Sequence, residues 1–219
     1  MTELNKRLIT SFFLFLLLYL MYFYNYILIS FMIIFFTVVW IEFNGLIQKI
    51  FNIEKSQKNF KYIFLSFIGL SYISFFTYLT IFNFQTDQTK LIYLYSLGLC
   101  ISSDLGGFIF GKIFKGKKLT KISPNKTISG CAGAFFLSIM LMVFYYNKID
   151  EVDLYYCLLF GLIVSSFSQL GDLFISYLKR KSKVKNTSNL LPGHGGLLDR
   201  VDGMLFGIPT GIYFSFLIS

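Results

Sequence analysis

Long apolar runs recur along this chain with only short connections between them, and they dictate the solvent in which it folds. Read at about 20 residues per membrane crossing, they give candidate spans near 8–24, 26–43, 61–82, 91–111, 128–146, 154–178 and 203–218. The first two are parted only by a tight turn near Asn25, and the tract 108–131 has the option of dipping into the membrane near Gly111 and Pro124. Of the 219 residues, 55% are hydrophobic and 14% charged, against roughly 25% charged in a soluble domain. The 28 Phe and 15 Tyr exceed what one small soluble core encloses, so lipid must solvate many of them. The expected fold is all-α: a polytopic integral membrane protein of about seven transmembrane helices. It is expected to form one membrane domain over 1–219, with N-terminal spans in 1–90 and the candidate functional groups in 91–219.

The basic residues fix an orientation. With the N-terminus in the cytoplasm and the sides alternating, all but Lys90 and Lys148 of the 20 Lys and Arg fall inside, as the positive-inside rule requires. Asp87, Asp150, Glu151 and Asp153 fall outside. The net charge of +9 is then mostly topology signal and attraction to anionic headgroups of membrane lipids. No basic stripe with interleaved aromatics points to nucleic acid. Lys6 and Arg7 before an apolar run resemble a signal peptide, but the run is long and lacks a small-residue cleavage site, so a retained first span is expected. Cys100, Cys131 and Cys157 lie in or beside apolar runs without a C-x-x-C pair and read as buried thiols.

Ionisable groups inside spans are costly and point to function. Asp104 and Asp172 are the clearest, both toward the cytoplasmic ends of their helices. Ser165, Gln169, Asp172, Ser176 and Lys179 are spaced 4, 3, 4 and 3, which puts them on one helix face. Such a stripe must face protein or water. Interhelical hydrogen bonding accounts for its serines and glutamine, and less well for the carboxylate. Gly106, Gly107 and Gly111 after Asp104 serve either close helix packing or the approach of a phosphate or metal to the backbone. Ser123, Lys126 and Thr127 suit phosphate oxygens, although an ordinary basic loop with a helix starting at Pro124 explains them as well. Farther on, Leu191-Pro192-Gly193-His194-Gly195-Gly196 surrounds the single histidine with glycines, an arrangement that can bring amides to an anion. Asp199 and Asp202, three apart, share a face on a helical turn and offer hard oxygens to Mg2+. Together these groups suit attack of one phosphate on the α-phosphorus of a nucleoside triphosphate, which needs metal and cations but no protein nucleophile. No Walker loop, G-x-S-x-G elbow or H-E-x-x-H is present.

The stretch from Ser176 through Lys179, Arg180 and Lys185 to Pro192-Gly193-His194-Gly195-Gly196 and Asp199-Arg200-Val201-Asp202 closely resembles the phosphatidate cytidylyltransferase signature. Gln169-Leu170-Gly171-Asp172, Ser103-Asp104-Leu105-Gly106-Gly107 and Ser123-Pro124-Asn125-Lys126-Thr127 are also similar to the family, and Arg7 and Trp40-Ile41-Glu42 more loosely so. The resemblance is strong over about 100–210. It implies a Mg2+-dependent membrane enzyme, a homodimer, converting CTP and phosphatidic acid to CDP-diacylglycerol and pyrophosphate. By the same resemblance Asp172 and Asp199 are metal ligands, with Asp202 a third carboxylate. Lys126, Lys179, Arg180 and Arg200 bind phosphates, and His194 with Gly195 and Gly196 forms a loop closing over the triphosphate. The implied setting is a bacterial plasma membrane with the site facing the cytoplasm. Two features depart from the family pattern: Asn186 follows Lys185 where Asp is usual, and Ile128-Ser129-Gly130 lacks the usual carboxylate. The chain is also short for the family, which implies missing N-terminal spans. The competing readings are a CTP-dependent kinase of a polyprenol or similar alcohol, which releases CDP, and a transporter using Asp104 and Asp172 as an ion path. A transport path needs polar groups across the whole membrane, whereas these carboxylates cluster toward one face.

Overall fold

The computed structural model describes residues 12–13, 16–51, 60–120, 123, 126–146, 153–191 and 195–218. Seven helices carry most of them: α1 (Asn25–Ile50), α2 (Phe60–Asn83), α3 (Asp87–Phe114), α4 (Ile128–Tyr146), α5 (Leu154–Lys181), α6 (Leu198–Val201) and α7 (Met204–Ile218). Residues 16–23 are also helical, and Tyr24, extended at φ −124° and ψ 101°, separates them from α1. The tight turn expected near Asn25 is this single residue. Among the described residues there is no strand, only the isolated bridges Lys118–Thr127 and Leu191–Gly195.

Helices α1 to α5 are each long and apolar enough to cross a membrane, and the chain is a polytopic integral membrane protein. The first expected span falls partly outside the described residues. The last, α7, has 15 residues with Pro209 inside, short of the about 20 of an ordinary crossing. Of the tract 108–131, residues 121–122 and 124–125, with Pro124 among them, lie outside the described residues. The chain leaves α3 at Phe114 and turns at Lys115 (φ 50°) and Gly116 (φ 113°). It then doubles back, with Leu119 N donating to Lys126 O at 2.8 Å and Ile128 N to Lys117 O at 3.0 Å.

The contacts divide the chain into two compact units, Met1–Thr86 with Leu178–Val201, and Asp87–Tyr177 with Asp202–Ser219. In the first, α1 buries Leu28, Met32, Phe35, Val39, Glu42 and Leu46, and α2 buries Tyr62, Ser66, Gly69, Ile73, Phe76, Thr80 and Asn83. Both sets step by three and four residues, the seam along which two helices meet. Polar groups join the same seam: Tyr62 donates to Asn44 Oδ1 at 2.9 Å. The opposite faces carry large apolar side chains such as Ile41, Phe67 and Tyr78, each about two-thirds exposed. Large apolar side chains facing outward, with Ser66, Thr80 and Asn83 admitted to the buried seam, depart from the soluble pattern, because lipid removes the hydrophobic drive for helices to associate and leaves close packing and hydrogen bonds to do it.

The second unit is built on glycine contacts. Where α3 meets α4, a Cβ on Gly106 would lie 2.3 Å from Gly133 O, and one on Gly130 2.7 Å from Gly107 O. Only glycine permits this approach. Helix α7 fits against α3 and α5 in the same way, Gly211 resting on Ser96 and Val164. Ser103 and Ser165 hydroxyls, 2.9 Å apart, link α3 to α5.

Candidate active site

The second unit contains a cavity of about 320 Å³. Asp104 from α3 and Asp172 from α5 line it, with Gln169 one turn before Asp172, and so do Ser123, Lys126, Thr127 and Gly130. The expected polar face of α5 is real: Gln169 Nε2 donates to Ser165 Oγ at 3.3 Å, and Ser176 Oγ donates to Asp172 Oδ1 at 3.2 Å. Lys126 Nζ forms an ion pair with Asp172 Oδ2, and both side chains are about a quarter exposed. The doubled-back loop explains why Lys126 reaches the cavity. Thr127 ends that loop and caps α4: its Oγ1 accepts the Gly130 amide at 3.1 Å, the ordinary service of a Thr N-cap to the third helical residue. Helix α4 therefore begins at Ile128, not at Pro124. Its positive end lies beside Lys126 at the cavity wall, a setting that favours an anion. Pro124 and Asn125 lie outside the described residues.

Most of the signature segment, Leu178–Val201, lies in the first unit. Helix α5 ends with Lys183 N donating to Arg180 O at 3.1 Å and Val184 N to Lys179 O at 3.0 Å. This Schellman closure places Lys183 at φ 57°, the left-handed position that glycine usually takes. Beyond it the chain turns back so that Asp199, at the start of α6, meets Lys179. Lys179 Nζ donates to Asp199 Oδ1 at 2.8 Å, while Asp199 Oδ2 accepts the amides of Thr187 (2.9 Å) and Gly196 (3.1 Å) and lies 3.1 Å from the Thr187 hydroxyl, whose one proton it shares with Glu42. Burial pushes the Asp199 carboxyl up. The Lys179 hydrogen bond, the Thr187 amide, the Lys179 charge and the Gly196 amide together more than reverse this, and it sits below the usual carboxylate value. Leu191 and Gly195 exchange two backbone hydrogen bonds, at 2.8 and 3.1 Å, and so close the base of the glycine loop, with Gly195 at φ +86°. His194 lies outside the described residues. Arg180 and Arg200 are exposed.

The expectation that Asp199 and Asp202 share a helical face needs correction. Helix α6 stops at Val201, and Asp202 falls in the following turn, buried, with Oδ1 accepting the Gly203 amide at 3.0 Å. One residue carries more of the architecture than the sequence reading gave it. Glu42 on α1 is 6% exposed and accepts hydrogen bonds from Thr187, Ser188, Leu197 and Leu198. The cost of an ionisable group in a span singled out Asp104 and Asp172, and the same argument applies to Glu42.

Among the described residues no three His, Cys, Asp or Glu converge to hold a metal ion. Mg2+ does not need three protein ligands, since it is commonly bound through one or two carboxylates together with substrate phosphates and water. Asp172 and Asp104 at the cavity fit that donor set. Both Asp199 oxygens already face protein donors.

With this geometry in view, the class of the protein follows from comparison. The cytidylyltransferase family model matches residues 1–218, and the chain belongs to that family. A phosphatidate cytidylyltransferase of Bacillus subtilis (strain 168) is 42% identical over 131 residues, covering 58% of this chain and 48% of that protein. One from Helicobacter pylori (strain J99) is 36% identical over 130 residues, 59% of this chain and 49% of its own. One from Staphylococcus aureus (strain COL) is 36% identical over 148 residues, 66% and 54% respectively. The chain thus spans about half the length of the curated relatives it matches.

Proposed function

We propose that this protein transfers CMP from CTP to phosphatidic acid, giving CDP-diacylglycerol and pyrophosphate. The observation that carries the proposal is the cavity in which Lys126 and the N-terminus of α4 face two carboxylates, Asp104 and Asp172, in a chain of the cytidylyltransferase family. An oxygen of the lipid phosphate attacks the α-phosphorus of CTP. The bond to the bridging oxygen between the α- and β-phosphorus breaks, and pyrophosphate leaves. Such transfer is governed by alignment and by neutralising charge. Lys126 and the α4 amides bind phosphate oxygens, with Ser123 and Thr127 hydroxyls beside them. Asp172, with Asp104, would hold Mg2+, which when bound supplies charge neutralisation across the phosphates. Lys179, Arg180 and Arg200 supply further cations, and Asp199 and Asp202 further carboxylates, as the resemblance implies, with His194, Gly195 and Gly196 forming the loop over the triphosphate. Also part of the proposal are a homodimer and a bacterial plasma membrane with the site on the cytoplasmic side. The orientation is supported by the distribution of Lys and Arg.

The test is product analysis with purified protein in detergent, CTP, phosphatidic acid and Mg2+. Lipid-dependent pyrophosphate release in step with CDP-diacylglycerol supports the proposal. CDP released with a polyprenol, and no pyrophosphate with phosphatidic acid, would replace it with a lipid kinase.

A further inference from the structure

Glu42 lies on the buried stripe of α1, yet its carboxylate is bonded to a segment some 145 residues away in sequence. Oε1 accepts the Ser188 hydroxyl at 2.6 Å and the Leu197 amide at 3.0 Å. Oε2 accepts the Thr187 hydroxyl at 2.9 Å and the Leu198 amide at 2.7 Å. The Ser188 hydroxyl itself accepts the Leu190 amide at 3.2 Å, so its own proton is directed at Glu42. The Leu197 and Leu198 amides open α6, where no preceding helical turn offers them a carbonyl. Each carboxylate oxygen thus takes one hydroxyl and one amide. A protonated acid or a carboxamide would turn a donor toward an amide N–H that cannot accept.

The Thr187 hydroxyl also stands 3.1 Å from Asp199 Oδ2, so Glu42 and Asp199 grip the same residue from two sides. Gly196 sits at the junction. A Cβ there would lie 1.9 Å from Thr187 Oγ1 and 2.7 Å from Glu42 Oε2. The glycine makes room for this cluster of bonds, a role distinct from letting a phosphate approach.

We propose that Glu42 is a positioning residue: as an anion saturated by four donors, it clamps residues 187–188 and 197–198 in the conformation that presents Asp199 and Arg200. Its effect on turnover rests on the CMP-transfer reading above, whereas its effect on the segment does not.

The experiment compares wild type, Glu42→Gln and Glu42→Asp as full-length protein in detergent, by hydrogen exchange and by steady-state pyrophosphate release with CTP and phosphatidic acid. Gln keeps the size and loses the pattern of acceptors. It should speed exchange of the 187–198 amides about tenfold or more while the rest of the chain stays protected. It should also lower kcat roughly tenfold to a hundredfold with little change in the KM for CTP. Asp, still a carboxylate, should partly restore kcat. The clamp is overturned by unchanged exchange in the Gln variant, by acceleration spread evenly over the chain, by a wild-type kcat, or by Asp faring no better than Gln. If wild type itself releases no pyrophosphate, the CMP-transfer reading fails, and the exchange measurement alone decides the clamp.

Discussion

The two compact units treat their carboxylates in opposite ways. In the first, Glu42 and Asp199 are nearly buried, and each has both oxygens occupied by protein donors. In the second, Asp172 is about a quarter exposed and paired with Lys126, and Asp104 is exposed at the same cavity. The first arrangement spends its hydrogen-bonding capacity on the fold of its own chain. The second also gives Asp172 protein donors, Ser176 and Lys126, but leaves its carboxylates exposed to the cavity, where a ligand can reach them. Buried charge is tolerated in a protein when donors satisfy it, whereas at a cavity with partly exposed charges an added phosphate can take the lysine and an added cation the carboxylate.

This contrast can be broken by substitution. Lys126→Met, which keeps length and removes charge, should reduce kcat/KM for pyrophosphate release roughly tenfold to a hundredfold and leave the thermal midpoint near wild type. A large loss of stability instead would make Lys126 a structural partner, as Lys179 is to Asp199. Gly106→Ala places a methyl against backbone atoms of α4 and should destabilise by about 1–3 kcal/mol, measured as a lowered unfolding midpoint in detergent. No shift would mean that α3 and α4 separate easily.

The Asp199 contacts sharpen the comparison through pH. Its carboxyl sits below its ordinary value of 3.8, so its bonds contribute stability in full above that value and lose it as pH falls through the lowered one. Wild type should therefore lose stability on acidification below about pH 4, and Asp199→Asn should lose less over that window. Equal slopes would remove Asp199 from the acid response. The smallest effect is expected at the end of α5, where Lys183→Gly relieves a left-handed residue and should stabilise by about 0.5–1 kcal/mol. A neutral or destabilising result would show that the Lys183 side chain compensates for its backbone.

How much of this was legible beforehand depends on the kind of signal. The long helices were plain, because runs of Phe, Ile, Leu and Tyr have no other solvent than lipid. Which face of each helix is buried was not, because lipid-facing and protein-facing sides of α1 and α2 are alike in apolarity and differ, apart from Glu42, only by scattered small and polar residues. The polar face of α5 was legible because charge in a span is rare, and the structure joins Asp172 to Ser176 and Lys126. The capping role of Thr127 was hidden by Pro124, a familiar helix-start residue placed four positions too early. The partners of Glu42 could not be read from local sequence, since hydrogen bonds between α1 and residues 187–198 leave no spacing pattern.

The central claim is that the partly exposed, cavity-lining carboxylate of the second unit carries the chemistry and the buried pair of the first holds its segment in place. Pyrophosphate release by Asp172→Asn tests it most directly, with hydrogen exchange of the 187–198 amides followed in the same preparation. The account predicts turnover reduced at least about a hundredfold and exchange of that segment unchanged. Near-wild-type turnover by Asp172→Asn, in protein that remains folded, would contradict it.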